Sequence, residues 1–275
     1  VSWHSTVPSS ACFVNEVGES VLRAVLKTGN PGYSVARQRF VSTCDTLAGD
    51  PRYGFPMPWL NMHYRTRDMK AYRAYHSSAD TVCMLSPEGL AVAATTAAAY
   101  LYRLADMTTA DMLNVAEHET RRAMRRIAQG RSSAPPGATA FLAEQHAETL
   151  RRLALWIWDS DRQEALSRLN AMKRRLCEAV SARKRSRAPI GRHVRSALAG
   201  HVAFRTAPIT PDMENVAPDI RKQVEDSGLH SWALYWADGS RTLKEIFDLS
   251  SCETDKQVVF TKTASFFQAM EKAGF

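Results

Sequence analysis

Tyr75-His76-Ser77-Ser78-Ala79-Asp80-Thr81 is the stretch from which the fold of this chain is interpreted. It is a short polar segment between a Tyr- and Arg-rich stretch and an Ala-rich one. Ser86-Pro87-Glu88-Gly89 has the composition of a helix start, and the apolar residues after it predict a helix over 88–106. A single His in such a segment is either a metal ligand or a hydrogen-bonded structural residue. The heptapeptide alone leaves both interpretations open.

Length and composition bound the class of protein. The chain has 275 residues, 45% of them apolar, which is enough for a buried core and two or three units. No run of 18 apolar residues occurs, so no membrane span is expected. The five cysteines are widely spaced and contain no C-x-x-C, which indicates free thiols in a reducing, cytoplasmic compartment. A first residue that is Val, with no leader pattern after it, favours a chain whose front was removed or a part of a longer polypeptide.

The positive net charge of +8 belongs to the middle of the chain. Residues 117–205 carry 19 basic and 8 acidic side chains, whereas residues 208–275 carry 7 basic and 11 acidic ones. The densest basic run, Arg183-Lys184-Arg185-Ser186-Arg187, is either a phosphate-binding cluster or a solvated connector. No aromatic residues alternate with it as a stacking platform would require, so the connector is favoured and nucleic-acid binding is not expected.

The first hundred residues alternate between helical and strand-like patterns. After a polar loop over 1–12, the patterns predict, in order, a helix over 13–26, a strand over 39–42, a long loop over 43–58, a strand over 59–63, the polar heptapeptide and the helix over 88–106. This order is typical of an α/β layer protein. Polar residues that carry chemistry collect at the carboxyl ends of strands in such folds, where both polar loops are expected to lie.

Three motifs in this region carry a resemblance to a known family. In order along the chain they are Ser42-Thr43-Cys44-Asp45, then Gly54-Phe55-Pro56 with Trp59-Leu60, and then the heptapeptide 75–81. Together they resemble the C-terminal half of zinc-dependent exopeptidases of the leucyl aminopeptidase and glutamate carboxypeptidase type. The match covers about a third of the chain, from Phe13 to Asp106. It implies a partial three-layer α/β/α fold.

The resemblance also implies a site. His76 would be the last ligand of a two-zinc centre, in which the metals polarise a carbonyl and activate a bridging water. Asp80 would orient the imidazole or cap the next helix. The substrate, a peptide or related amide, would lie against a pocket formed by Asp45, Tyr53 and Tyr75.

The other ligands of the family are missing from this chain. His4 lies in the N-terminal loop without the Asp that should follow it, and Glu16 and Glu19 lie on a predicted helix without being adjacent. Two explanations stay open. The chain is the C-terminal portion of a larger hydrolase, or it is a scaffold that kept the fold and lost the chemistry.

Two further units are predicted after the α/β unit of residues 1–107. Residues 108–207 have the apolar spacing of a mainly helical region with a hairpin over 139–180, and homo-oligomerisation is expected through it. Residues 208–275 contain a strand-like aromatic run over 232–236 and a capping box of Thr242 with Glu245. This last unit resembles winged-helix modules, but its acidic balance favours packing or assembly over contact with DNA.

Overall fold

The computed structural model describes residues 1–38, 40, 48–61, 78, 81–129, 135, 137–158, 161–185, 197–207, 213, 215–229, 231–254 and 259–275. Within these ranges the protein is mainly helical, with two small sheets of short strands. The helices are α1 Val14–Gly29, α2 Pro87–Ala105, α3 Thr109–Gln129, α4 Ala138–Ala154, α5 Arg162–Arg185, α6 Pro218–Ser227, α7 Leu243–Thr254 and α8 Phe260–Lys272. The strands are β1 Ser2–His4, β2 Ala36–Gln38, β3 Trp59–Asn61, β4 Val202–Phe204 and β5 Asp238–Thr242.

The first sheet has the strand order β2-β1-β3. β1 pairs in parallel with β2 and antiparallel with β3, so Ser2 is opposite Ala36 on one side and Asn61 on the other. β1 was expected to be a loop, which is wrong. Of the strand predicted over 39–42, only Phe40 lies within the described residues, and it follows β2, which ends at Gln38. β3 begins at the predicted residue, Trp59.

Two helices cover this sheet. α1 contacts β1 and α2, and the side chains of Trp3, Leu22 and Val92 are buried together between them. Trp3 passes so close to α1 that it lies directly against the backbone of Gly18. The N-terminal region is therefore a small α/β layer, and β3 and α2 are both anchored in it.

α3, α4 and α5 form the largest apolar core together with the first turn of α1. Their apolar positions repeat at helical spacing, and the side chains on this stripe face one another, among them Leu113, Leu150, Leu153, Leu169 and Leu176. The helices α4 and α5 confirm the helical segments predicted over 139–180. The first helix ends at Ala154 and the second begins at Arg162. No helix in the described ranges combines the length and the apolar character needed to cross a bilayer.

The C-terminal region combines α6, α7 and α8 with the antiparallel pair β4-β5. The run over 232–236, predicted as a strand, is instead part of a 3₁₀ turn, Ser231–Trp236. Four successive side chains of this turn, from Ala233 to Trp236, are buried, whereas a strand with one buried face would alternate. Val7 and Phe40 from the N-terminal region share the core with these residues.

A buried ion pair also links the N-terminal and C-terminal regions. Arg205, just after β4, donates two hydrogen bonds to the carboxylate of Asp50, one of them 2.5 Å long. Asp50 is fully buried and Arg205 is 4% exposed. The guanidinium of Arg205 also stacks over the ring of Tyr235 at 5.1 Å. A paired, hydrogen-bonded geometry is what allows two such charges to be buried.

Candidate functional site

Most of the predicted zinc site lies outside the described residues. This holds for His76, Asp80, Asp45 and Tyr75. Tyr53 is described. Its backbone N–H donates to the carbonyl of Asp50 at 2.9 Å, and its side chain is 51% exposed on a surface turn. An exposed ring in this place is available to a substrate.

The elements on both sides of the His76 segment are well defined. β3 precedes the segment and pairs with β1, and α2 follows it and packs on α1. The start of α2 has the predicted cap, because Ser86 Oγ accepts the N–H of Gly89 at 3.1 Å. Ser86 also donates to Glu88, and a backbone N–H together with this hydroxyl lowers the pKa of the Glu88 carboxyl.

The described residues do not by themselves fit a zinc centre. Among them, no group of three or more His, Cys, Asp or Glu side chains is arranged to hold a metal ion. Zinc sites in hydrolases use at least three protein ligands. The predicted ligand His76 would therefore need partners from outside the described ranges.

The structure instead brings together a cluster of ionisable side chains between α1, β2, α3 and α4. Its three carboxylates are buried, and two guanidiniums and two imidazoles surround them. We call it the carboxylate cluster, and its members are Glu16, Glu19, Arg37, His118, Glu119, Arg122 and His146.

The two arginines hold the three carboxylates together. Arg122 contacts Glu16 at 2.8 Å, Glu119 at 3.0 Å and Glu19 at 3.3 Å. Arg37 reaches across from β2 and lies 3.3 to 3.6 Å from the same three carboxylates. Both guanidiniums are about three-quarters buried, so these ion pairs are only partly screened by water.

The two histidines lie at opposite sides of the cluster. Nδ1 of His118 is 2.5 Å from Glu16 Oε1, and the imidazole is 55% exposed. Nδ1 of His146 is 3.1 Å from Glu119 Oε2, and that ring is buried. The His146 contact is close enough for a hydrogen bond but lacks its alignment. Of the two imidazoles, His118 is the one that connects the carboxylates to solvent.

The two central carboxyl groups differ in protonation because their neighbours differ. Burial, together with the hydrogen bond and negative charge of Glu119, raises the pKa of Glu16 to about 7. Burial also raises the pKa of Glu119, but the nearby His146 and Arg37 outweigh this effect, so its pKa is lowered. Glu119 is thus the ionised member of the pair, and Glu16 is the one that takes up a proton.

The cluster is suited to holding one proton near neutral pH. Three carboxylates face two guanidiniums, so the charges of this set balance when one proton binds to Glu16. A carboxyl group with a pKa near 7 beside a half-exposed imidazole can exchange that proton with solvent. The direct physical effect of the cluster is to couple the contact of α1 with α3 to pH.

Sequence reasoning missed this cluster. The run Glu117-His118-Glu119 lacks metal-ligand partners at useful spacing in the sequence, which predicts surface residues. That prediction is wrong for Glu119, which is only 4% exposed. A signal was present, since Glu119 lies between Ala116 and Ala123 at helical spacing and both alanines are on the buried stripe of α3. The partners come from α1, β2 and α4, and no local pattern reveals such long-range contacts.

No protein-family model, no curated protein and no solved structure matches the chain. The zinc-exopeptidase resemblance therefore depends on the motifs quoted from the sequence.

Proposed function

We propose that this chain is the C-terminal portion of a zinc-dependent aminopeptidase-like hydrolase, which cleaves a peptide or amide bond with a metal-activated water. The observation that supports this proposal is the setting of the His76 segment. It follows β3 and precedes α2, and both elements pack on the sheet and helix of the same small α/β layer. The resemblance requires this order of strand, His segment and closing helix.

Each predicted residue has a role in this proposal. His76 is a zinc ligand, and Asp80 orients its imidazole or caps the following helix. Asp45, Tyr53 and Tyr75 line the pocket for the substrate. The exposed ring of Tyr53 supports its role, because a buried ring could not contact a peptide. The remaining ligands of the two-zinc centre are contributed from outside these residues.

The finer fold assignments belong to the same proposal. The sheet β2-β1-β3 with α1 and α2 on it would be the edge of a three-layer α/β/α domain. In the C-terminal region, the antiparallel pair β4-β5 leads directly into α7 and is accompanied by α6 and α8, which supports a winged-helix-like module. The predicted capping box supports it too, because Thr242 and Glu245 exchange hydrogen bonds at the start of α7.

The zinc content of the complete gene product tests the proposal. The wild-type protein is expected to retain zinc through dialysis, and His76→Ala is expected to lose part or all of it. His201→Ala is the matched control, because His201 is exposed and distant from His76 in the sequence. This substitution is expected to leave the zinc content unchanged. Equal zinc content in wild type and His76→Ala would refute the role of His76.

A second candidate is a non-catalytic scaffold derived from the same fold. The exposed apolar face of α2 favours it, because large exposed apolar surfaces usually mark contacts with other proteins. A complete gene product that folds and self-associates but binds no zinc would support the scaffold over the hydrolase.

A further inference from the structure

The positive charge of the chain is concentrated on two helices that pack against each other. α5 carries eight basic and two acidic side chains, and α3 carries four basic and three acidic ones. Together they hold a net charge of +7, out of +8 for the whole chain. Because α3 and α5 are in extensive contact, charges that are far apart in the sequence become neighbours in the structure.

α3 and α5 run in the same direction. α3, α4 and α5 are joined by connections of eight and seven residues, and each helix packs on the next. Helices joined by such short connections are antiparallel neighbours, so the first and the third are parallel. Nη2 of Arg175 lies 3.0 Å from Oε2 of Glu117, which fixes the level of one helix against the other. The basic end of α5, residues 183–185, is therefore level with Arg125 and the last turn of α3.

Four arginines of the two helices lie around one carboxylate at this contact. Glu117 pairs with Arg175 across the helices, and Nε of Arg121, one turn further along α3, is 3.8 Å from its Oε1. The side chains of Arg121 and Arg175 are nevertheless 63% and 42% exposed. Arg125 and Arg174 are exposed beside them, and neither forms an ion pair with another described residue. We call Arg121, Arg125, Arg174 and Arg175 the arginine surface.

The arginine surface has more positive charge than the carboxylates next to it balance. Among the described residues, Glu117 is the carboxylate that is ion-paired with it. Glu178 is exposed one turn after Arg174 and forms no ion pair with a described arginine. Exposed guanidiniums that repeat along two helices suit a ligand with repeated negative charges, and the phosphates of a nucleic acid supply such charges at regular spacing.

The composition of the two helices favours double-stranded DNA over other polyanions. Neither α3 nor α5 contains a Phe, Trp or Tyr residue, and sites for single-stranded nucleic acid and for most RNA stack unpaired bases on such rings. A helix that binds a membrane surface inserts its apolar face, whereas the apolar stripes of α3 and α5 are buried in the core. The backbone of duplex DNA is bound by Arg and Lys side chains without stacking or insertion.

We propose that the arginine surface of α3 and α5 binds the phosphate backbone of double-stranded DNA without reading its sequence. From the run 183–187 alone, nucleic-acid binding was not expected, because that run has no aromatic partners. The contact of α5 with α3 adds guanidiniums from a second helix, and binding to a duplex backbone requires no aromatic residue. The inference goes beyond the proposed hydrolase function and does not depend on it.

Fluorescence anisotropy tests the proposal with a labelled duplex of about 20 base pairs, which exceeds the length of α5, about 36 Å. The 275-residue wild type is expected to bind this duplex at low salt, with an affinity that falls steeply as salt is added. The variant Arg121→Gln/Arg125→Gln/Arg174→Gln removes three phosphate contacts. It is expected to raise the Kd by about 10-fold or more at low salt and to reduce the salt slope by about 3.

A lysine variant is the matched control for total charge. Lys27→Gln/Lys222→Gln/Lys272→Gln removes the same three charges from exposed positions of α1, α6 and α8. Its Kd is expected to stay within about twofold of the wild-type value, because phosphate contacts are local and more distant charges are screened by salt. Circular dichroism checks that each variant keeps its helices.

A further variant should bind the duplex more tightly, which a folding defect does not imitate. Glu178→Gln removes an exposed carboxylate beside the arginine surface and is expected to lower the Kd by about threefold. An unchanged or higher Kd for Glu178→Gln would contradict the proposed surface.

Four other results would overturn the proposal. The first is a wild type that does not bind the duplex at low salt. The second is an arginine variant that folds and binds as tightly as the wild type, and the third is a lysine control that loses as much affinity as the arginine variant. The fourth is tighter binding of single-stranded DNA, of an RNA duplex or of phosphatidylserine vesicles, since each would replace duplex DNA as the ligand.

Discussion

Glu16 on α1 and Glu119 on α3 share one guanidinium, because Arg122 lies 2.8 Å from the carboxylate of Glu16 and 3.0 Å from that of Glu119. Two buried carboxylates on one arginine repel each other, which favours a proton on one of them. The pKa of Glu16 is raised to about 7, so this proton binds and dissociates near neutral pH. The contact between the two helices is therefore sensitive to pH in the physiological range.

The first prediction concerns the pH dependence of stability. The Glu16 pKa rises on folding from 4.5 to about 7, so the stability that protonated Glu16 contributes is fully present below pH 4.5 and is lost as the pH rises through 7. The free energy of unfolding should fall over this window by up to about 3 kcal/mol. Glu16→Gln cannot ionise and should remove most of the decline. Urea unfolding of both proteins at a series of pH values measures the decline in the free energy of unfolding.

Glu164→Gln is the control for this experiment, because Glu164 is exposed on α5 and belongs to no cluster described above. The control should decline with pH as the wild type does. If Glu16→Gln also declines as steeply as the wild type, the proton is not held by Glu16.

The second prediction concerns the buried pair of Asp50 and Arg205. Asp50→Asn leaves the guanidinium buried without its counter-charge and should lower the free energy of unfolding by about 3–5 kcal/mol. The double variant Asp50→Asn/Arg205→Met removes both charges and should recover part of this loss. Denaturant unfolding at constant pH measures all three proteins.

Asp248→Asn provides the exposed comparison. Its partner Lys244 lies one helical turn away, and both side chains are partly exposed to water, so the change should cost less than about 1 kcal/mol. Equal losses for Asp50→Asn and Asp248→Asn would show that burial of the Asp50 pair does not matter.

The third prediction concerns the approach of Trp3 to Gly18. A Cβ at Gly18 would lie 1.8 Å from the Trp3 ring, so Gly18→Ala should destabilise the protein by about 1–3 kcal/mol even though Ala is the better helix former. Gly29→Ala has nothing within 4 Å and should be neutral or slightly stabilising. Thermal unfolding compares the two. A Gly18→Ala variant as stable as Gly29→Ala would contradict the packing of β1 on α1.

The helices were the predictable part of the fold. α1 and α2 begin and end within a few residues of the bounds predicted for them, 13–26 and 88–106, because apolar residues repeat at helical spacing over several turns. β1 was not predictable, since three residues are too few to show alternation and the strand exists through its pairing with β2 and β3. The aromatic run over 232–236 has strand propensity, yet its consecutive burial requires a turn.

The two candidate sites also differ in whether the sequence predicts them. His76 could be proposed from the sequence because its motif is contiguous in the chain. The carboxylate cluster could not, because Glu16, Arg37, Glu119 and His146 come from four elements and meet only after folding. Local patterns identify which helix face is buried, but they do not show which charged side chains on different elements become neighbours.

Aminopeptidase activity of the complete gene product, measured before and after zinc removal, is the decisive experiment for the proposed hydrolase. Release of the N-terminal residue from a short peptide should stop when a chelator removes the metal and resume when zinc is returned. His76→Ala should remain at the chelated level, while His201→Ala should behave as the wild type. Activity that survives chelation, or a His76→Ala protein as active as the wild type, would contradict a zinc centre with His76 as a ligand.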